Sequence, residues 1–191
     1  MAKSDTVETY RSLRETIKHA AGESLVRTVL IVDIDREEPS PVALELARAF
    51  GAAGDRCALI DTNLRQTNGL EPGLAELMAD SSFDLAMLPV ADGLTVMGPG
   101  GAGNPDLLST PAFREALASV RESFDYAILT CDAFPATGDA IAIAPEVDAA
   151  ILVISAGVTR REPAIQARDA LERVGARILG MVMIERPRRW F

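Results

Sequence analysis

Histidine is nearly absent from this 191-residue chain, cysteine is scarce, and lysine plus arginine are outnumbered by acids, 19 to 28. His19 is the only histidine, and Cys57 and Cys131 are the only cysteines. A cysteine nucleophile needs a base within hydrogen-bond reach, and His19 lies on a distant amphipathic segment, so a cysteine–histidine enzyme is not expected. Both cysteines fall in strand-like apolar segments, where reduced buried cysteine is common, and no disulfide framework is expected. The net charge of −9 and the pI near 4.7 exclude sequence-independent nucleic-acid binding, which draws on basic surface. No run approaches the roughly 18 apolar residues that span a bilayer. The start, Met-Ala-Lys-Ser-Asp, is neither a secretory signal nor a lipidation motif, so a cytoplasmic location is expected.

What is present is an apolar fraction of 48%, in a chain long enough for one domain, 1–191, with a full core. Apolar runs recur at Val29–Val32, Cys57–Ile60, Leu94–Met97, Tyr126–Leu129, Ala150–Ile154 and Ile178–Ile184. Helix-period segments lie between them, near 41–53, 72–79, 111–122, 137–144 and 161–174. Strands buried on both faces by crossover helices read this way. The expected fold is α/β, a three-layer, doubly wound, mostly parallel sheet. Gly98 to Pro105 is rich in glycine and proline and reads as a turn-rich connection.

Between the first run and the first internal helix stands Asp33-Ile-Asp-Arg-Glu-Glu-Pro-Ser-Pro41. A phosphate-binding loop GxxxxGK[ST] belongs at such a place, with glycines that let backbone N–H groups approach the phosphates and a lysine for charge. Counted back from Ser40, the glycine positions hold Asp33 and Glu38, and the lysine position holds Pro39. Two like charges about 4 Å apart repel by roughly 4 kcal/mol at an effective dielectric of about 20, and Asp33, Asp35, Glu37 and Glu38 face only Arg36. Pro39 and Pro41 also lack the N–H groups that an anion would use. The same residues read as an ordinary helix start, with Ser40 as N-cap and Pro41 as first helical residue. As oxygen donors for a cation the four acids lack the spacing of an EF-hand loop.

Residues 5–21 read as a helix with Tyr10, Leu13 and Ile17 on one stripe and Glu8, Arg11 and Arg14 on the polar face. Glu8 and Arg11 can pair across one turn, or the row can meet a neighbouring subunit, where arginine forks clamp carboxylates. His19 suits a helix C-terminus. The last residues, Arg186-Pro-Arg-Arg-Trp-Phe191, read either as a frayed tail or as a docking segment for an acidic partner or a membrane surface.

Taken together, the chain resembles the cytoplasmic domain of bacterial tyrosine kinases (BY-kinases), P-loop proteins similar to partition-type ATPases that control capsule and exopolysaccharide synthesis. Glu8-Thr-Tyr-Arg11-Ser-Leu-Arg14 matches that family's E-x-x-R-x-x-R oligomerisation motif, and Ala58-Leu-Ile-Asp61-Thr-Asn-Leu-Arg65 its second acidic motif. Asn104–Pro111, Val153–Arg160 and Arg173–Gly180 resemble further stretches in the family's order. The resemblance also marks departures. Pro39 replaces the Walker A lysine, Thr130 the Walker B aspartate, Asn63 the second acid beside Asp61, and Ile184 the adenine-reading asparagine. Tyr10 and Tyr126 lie inside structural segments, and the terminal tyrosine cluster is missing.

These departures imply a pseudokinase, with no catalytic residue, no metal ligand and no cofactor. It would act as a scaffold or regulator of polysaccharide synthesis and export. The partner implied is the cytoplasmic tail of a polysaccharide copolymerase, which would recruit the chain to the inner membrane. Glu8, Arg11 and Arg14 would carry self-association or association with an active paralogue. The alternative is an active tyrosine autokinase or ATPase that binds MgATP through an unconventional loop, with Asp61, Ser40 and Asp132 around magnesium and Arg36 in place of the lysine.

Overall fold

The central strands are apolar on both sides, and each side feeds a different core. In β1 (Thr28–Asp33), Val29 and Ile31 join a cluster with Val42, Leu46 and Phe50, while Leu30 and Val32 join one with Phe113, Leu117 and Leu171. This is why the strands read as unbroken apolar runs rather than as alternating ones. The computed structural model describes residues 3–20, 25–36, 39–67, 72–80, 88–101 and 103–185.

Among the described residues seven strands form one sheet, in the order β3-β4-β2-β5-β1-β6-β7. The others are β2 (Cys57–Asp61), β3 (Leu88–Ala91), β4 (Leu94–Met97), β5 (Tyr126–Thr130), β6 (Ala149–Ser155) and β7 (Ile178–Ile184). All pairs are parallel except β3 with β4. Helices α1 (Lys3–His19) and α2 (Val42–Gly51) cover one face. The other face carries α3 (Leu74–Ala79), α4 (Pro111–Ser123), α5 (Asp139–Ile143) and α6 (Arg161–Arg173). The three-layer, doubly wound α/β expectation therefore holds, and all six apolar runs are strands.

β3 was not expected. It hairpins onto β4 through Asp92 and Gly93, where Gly93 has φ +72° and a Cβ would come within 2.8 Å of the Gly51 backbone. Only glycine fits that turn. Cys131 also departs from expectation, because it lies one residue beyond β5 rather than inside it. Among the described residues no helix is long and apolar enough to cross a membrane.

Candidate functional site

The parallel strands deliver Asp33, Asp61, Thr130, Ser155 and Ile184 to one edge of the sheet, at the carboxyl ends of β1, β2, β5, β6 and β7. Asp61 is in register with Thr130, Asp33 with Val153, and Ser155 with Ile184. Open α/β sheets take ligands outside these ends, where the strand order reverses. Here β1 is that point, since the chain leaves it for β2 on one side and returns to β6 on the other.

The loop after β1 closes on itself. Asp33 is only 7% exposed, and its Oδ2 accepts the N–H of Ser40 at 2.8 Å. Its Oδ1 lies 3.8 Å from Nε of Arg36. Among the described residues, Asp33 Oδ1 and Ser40 Oγ are buried without a hydrogen-bond partner. Arg36 reaches across to β6, where Nη1 donates to Oγ of Ser155 at 2.5 Å. Asp35 takes a positive φ of 54°, its N–H donates to the carbonyl of Phe134 at 2.9 Å, and Arg160 stands 3.8 Å from its carboxylate. Thr159 ties the other side, accepting the Ser155 N–H and donating to the Ile34 carbonyl.

The expected N-cap at Ser40 is corrected by this geometry. α2 begins at Val42, Pro41 precedes it with φ −71° and ψ −4°, and no side chain caps it. Ser40 gives its N–H to Asp33, and its buried hydroxyl faces no donor or acceptor among the described residues. Pro39 and Pro41 are exposed. Glu37 and Glu38 lie outside the described residues, as do Arg186 to Phe191.

On the other side of β1, Asp61 is pushed above the ordinary carboxylate range by burial, and the Asn63 N–H on its Oδ1, at 3.0 Å, pulls it back in part. Asn63 donates through Nδ2 to Asp132 at 2.8 Å. Arg65 forks onto Asp139 and stands 3.6 Å from Asp132. Asp132 is raised by burial first and the charge of Asp139 second, against the pull of Arg65. Thr130 is occupied in the ladder, with its carbonyl taking both the N–H and the hydroxyl of Thr62, and its own hydroxyl donating to Ile60 at 3.3 Å. The Cys131 thiol is raised strongly by burial, then by Asp139, Asp132, Asp33 and Asp61. Cys57 is raised to about 12 by burial and Asp55. Neither is a thiolate near neutral pH. Among the described residues no cluster of three or more acids, histidines or cysteines could hold a metal ion.

So the structure places Asp33, Ser40, Asp61, Asn63, Thr130 and Ile184 at or just beyond the same carboxyl ends; Asp61 on β2 and Ile184 on β7 each lie two strands from β1, on opposite sides of it, with Ile184 in register with Ser155. Sequence reasoning missed Ser155, Thr159 and Asp139, whose links to Arg36, Ile34 and Arg65 join residues far apart along the chain and leave no local signal.

No protein-family profile matches the chain. Over 95% of its length it is 28% identical to the tyrosine-protein kinase YwqD of Bacillus subtilis, of which it covers 81%. Over 92% of its length it is 27% identical to the tyrosine-protein kinase CpsD of Streptococcus pneumoniae, covering 82% of that chain. Its homologues are bacterial tyrosine-protein kinases. It is also 27% identical, over 95% of its length, to the succinoglycan biosynthesis transport protein ExoP of Rhizobium meliloti, of which it spans 25%. The kinase domain of Escherichia coli tyrosine kinase ETK superposes with a TM-score of 0.84 at 22% identity, over 97% of this chain and 77% of that one. The cell division ATPase MinD of Pyrococcus furiosus gives 0.67 at 20% identity, over 82% and 71%. The fold is P-loop NTPase-like.

Against these kinase homologues the charge inventory is informative. The chain holds two lysines, Lys3 and Lys18, and both lie on α1. Lys18 pairs with Asp55 at 2.6 Å. On the same helix, Glu8 and Arg11 are exposed and lie 3.6 Å apart. Arg14 does not share their face. It is 12% exposed, bonded to Glu15, and its Nη1 donates to the Ala49 carbonyl in the last turn of α2 at 2.8 Å. Tyr10 and Ile17 are buried against α2, as the stripe predicts, and His19 Nδ1 meets the Glu15 carbonyl at 2.7 Å on the surface.

Proposed function

We propose that the chain is a catalytically inactive relative of the tyrosine kinases that regulates bacterial capsule or exopolysaccharide synthesis by protein contacts. The observation that carries this reading is the bond from Ser40 N–H to the Asp33 carboxylate. The start of α2 is where a P-loop protein binds phosphate, and here one of the chain's own anions takes an N–H at that point.

The surrounding residues do not fit a polyphosphate. Pro39 and Pro41 contribute no N–H, both lysines are on α1, and Arg36 is turned toward Asp33 and Ser155. Thr130, at the position of a magnesium-holding acid, offers a neutral hydroxyl already bonded to Ile60, and hard divalent cations favour carboxylate oxygen. Phosphoryl transfer rests on positioning and electrostatic stabilisation, and this set supplies little of either.

The partner is the cytoplasmic tail of a polysaccharide copolymerase, which brings the chain to the inner membrane. The homology to a succinoglycan biosynthesis transport protein supports that context. Glu8 and Arg11, exposed on α1, are the contacts for self-association or for an active paralogue, with Arg14 bracing the helix behind them. The second reading, an active autokinase or ATPase, is favoured by the names of the homologues. A thermal melt with and without millimolar MgATP separates the two. A ligand at 100 times its dissociation constant adds about 2.7 kcal/mol, so an unchanged midpoint supports the scaffold and a saturable rise supports the enzyme.

A further inference from the structure

Strands β6 and β7 end side by side, and the segments that follow them are basic in an acidic molecule. Ser155 is in register with Ile184, and the Ala156 N–H donates to the Ile184 carbonyl at 2.8 Å, so both segments leave the same edge of the sheet together. Segments 156–162 and 185–191 hold five arginines against two acids, Glu162 and Glu185, in a chain of net charge −9. Arg160 and Arg161 are exposed at the start of α6, and Arg160 stands 3.8 Å from Asp35 with 75% of its side chain open. Two exposed apolar side chains flank them, Val158 in the turn after β6 at 39% and Met183 near the end of β7 at 65%. The other three arginines, Arg186, Arg188 and Arg189, lie outside the described residues with Trp190 and Phe191. Covalent geometry alone holds Arg186 within about 7 Å of Ile184.

We propose that this edge docks on an anionic lipid surface. Clusters of about four or more arginines and lysines beside a membrane bind acidic headgroups, each residue worth about fivefold in affinity. Neither segment reaches that number by itself, and the parallel pairing of β6 with β7 brings the two together. Guanidinium forks suit headgroup phosphates, and tryptophan and phenylalanine are side chains that settle at the headgroup level. A soluble acidic peptide would engage the arginines but leave the apolar side chains among them in water. A bilayer takes both, with charge at its surface and Val158, Met183 and the two rings just below. The overall acidity of the chain does not oppose the contact strongly, because charges farther apart than about 8 Å are screened at physiological salt. The contact is weak and reversible, as single membrane signals are, so it adds to recruitment by a partner. It does not rest on the reading of the mouth at β1, and a MgATP shift leaves it standing.

Trp190 is the only tryptophan of the chain, so its fluorescence reports the docking directly. The full chain is mixed with protein-free vesicles of phosphatidylcholine and phosphatidylglycerol at about 0.1 M salt, which keeps the test apart from recruitment by a copolymerase. It is expected to co-sediment with them, with Trp190 emission shifted to the blue and quenched by brominated acyl chains. Vesicles of phosphatidylcholine alone are expected not to bind, and about 1 M salt, which screens charges beyond about 3 Å, to release the protein. Arg160→Ser with Arg161→Ser is expected to weaken binding about 25-fold. Trp190→Ala with Phe191→Ala is expected to weaken co-sedimentation and leave its salt dependence in place. Absence of binding by the wild-type chain to the anionic vesicles overturns the proposal. So does binding that the Arg160 and Arg161 substitutions leave unchanged in a protein shown folded by circular dichroism, which confines the contact to residues 186–191. Capture by soluble polyglutamate as tightly as by vesicles, without quenching of Trp190 by brominated lipid, overturns it in favour of an acidic protein partner.

Discussion

The carboxylate of Asp33 and the backbone N–H of Ser40, seven residues apart, are joined at 2.8 Å beneath the start of α2. The contact ties the end of β1 to the residue that leads into the helix and sets a negative charge near the helix's positive pole, an arrangement that favours both. Arg36 is drawn into the same closure from the loop, 3.8 Å from Asp33 and bonded to Ser155. The loop is thus a fastening between β1, β6 and α2.

Asp33→Ala removes the acceptor and strands a buried N–H. A stability loss of about 1–3 kcal/mol is expected, the usual cost of an unsatisfied buried donor, read from urea denaturation. Under the proposed function this variant still shows no MgATP shift, because the prolines and the missing lysine remain. Nucleotide binding on loss of Asp33 alone would contradict that account.

Arg14 and Arg11 should separate cleanly. Arg14→Ala removes a buried fork that satisfies a carbonyl at the C-terminal end of α2, and a loss of about 1–2 kcal/mol is expected. Arg11→Ala breaks an exposed pair, worth about 0–1 kcal/mol at most, and should leave the urea midpoint within error. If Arg11 and Glu8 serve association, Glu8→Lys lowers the measured mass while the midpoint stays put.

Much of the fold was legible because strands covered on both faces leave unbroken apolar runs. β3 was not, since a four-residue edge strand containing Pro89 and the exposed Val90 leaves no periodicity to read. At the mouth, the absent lysine and glycines were readable position by position. The fate of Arg36 was not, because its partner Ser155 lies 119 residues on. Arg14 misled through spacing. Each three-residue step falls about 60° short of a full helical turn, so Arg14 is carried round from the Glu8 face toward α2.

Asp61 makes a pH prediction. Burial raises its carboxyl, so the folded protein holds that proton more tightly than the unfolded chain. Stability from this group is therefore lost as pH rises from the ordinary carboxylate range, about pH 4, through the raised folded value. Asp61→Asn keeps an oxygen for the Asn63 N–H and removes the buried charge. Its melting midpoint is expected above wild type at neutral pH, with the two converging below about pH 4. A variant that melts lower at pH 7 would refute the burial argument.

Glu76 tests the loop from Gly98 to Pro105. Its two carboxylate oxygens accept the N–H of Gly73 at 2.7 Å and of Gly101 at 2.9 Å, so one side chain pins the start of α3 to that loop. The strands of chain run so close there that a Cβ on Gly73 would stand 2.5 Å from the Gly98 carbonyl. The Gly73 N–H lowers the Glu76 carboxyl, burial opposes it, and the Gly101 N–H adds to the lowering. A depressed value means stability that is present above the ordinary glutamate range and lost as pH falls through the folded value. Glu76→Gln retains one acceptor and turns an amide N–H₂ toward the other donor, so a loss of about 1–2 kcal/mol is expected at pH 7. The difference from wild type should shrink in acid, where protonated glutamate also has one oxygen occupied by hydrogen. A loss that is the same at pH 7 and in acid would place the cost of the substitution in packing rather than in the two bonds.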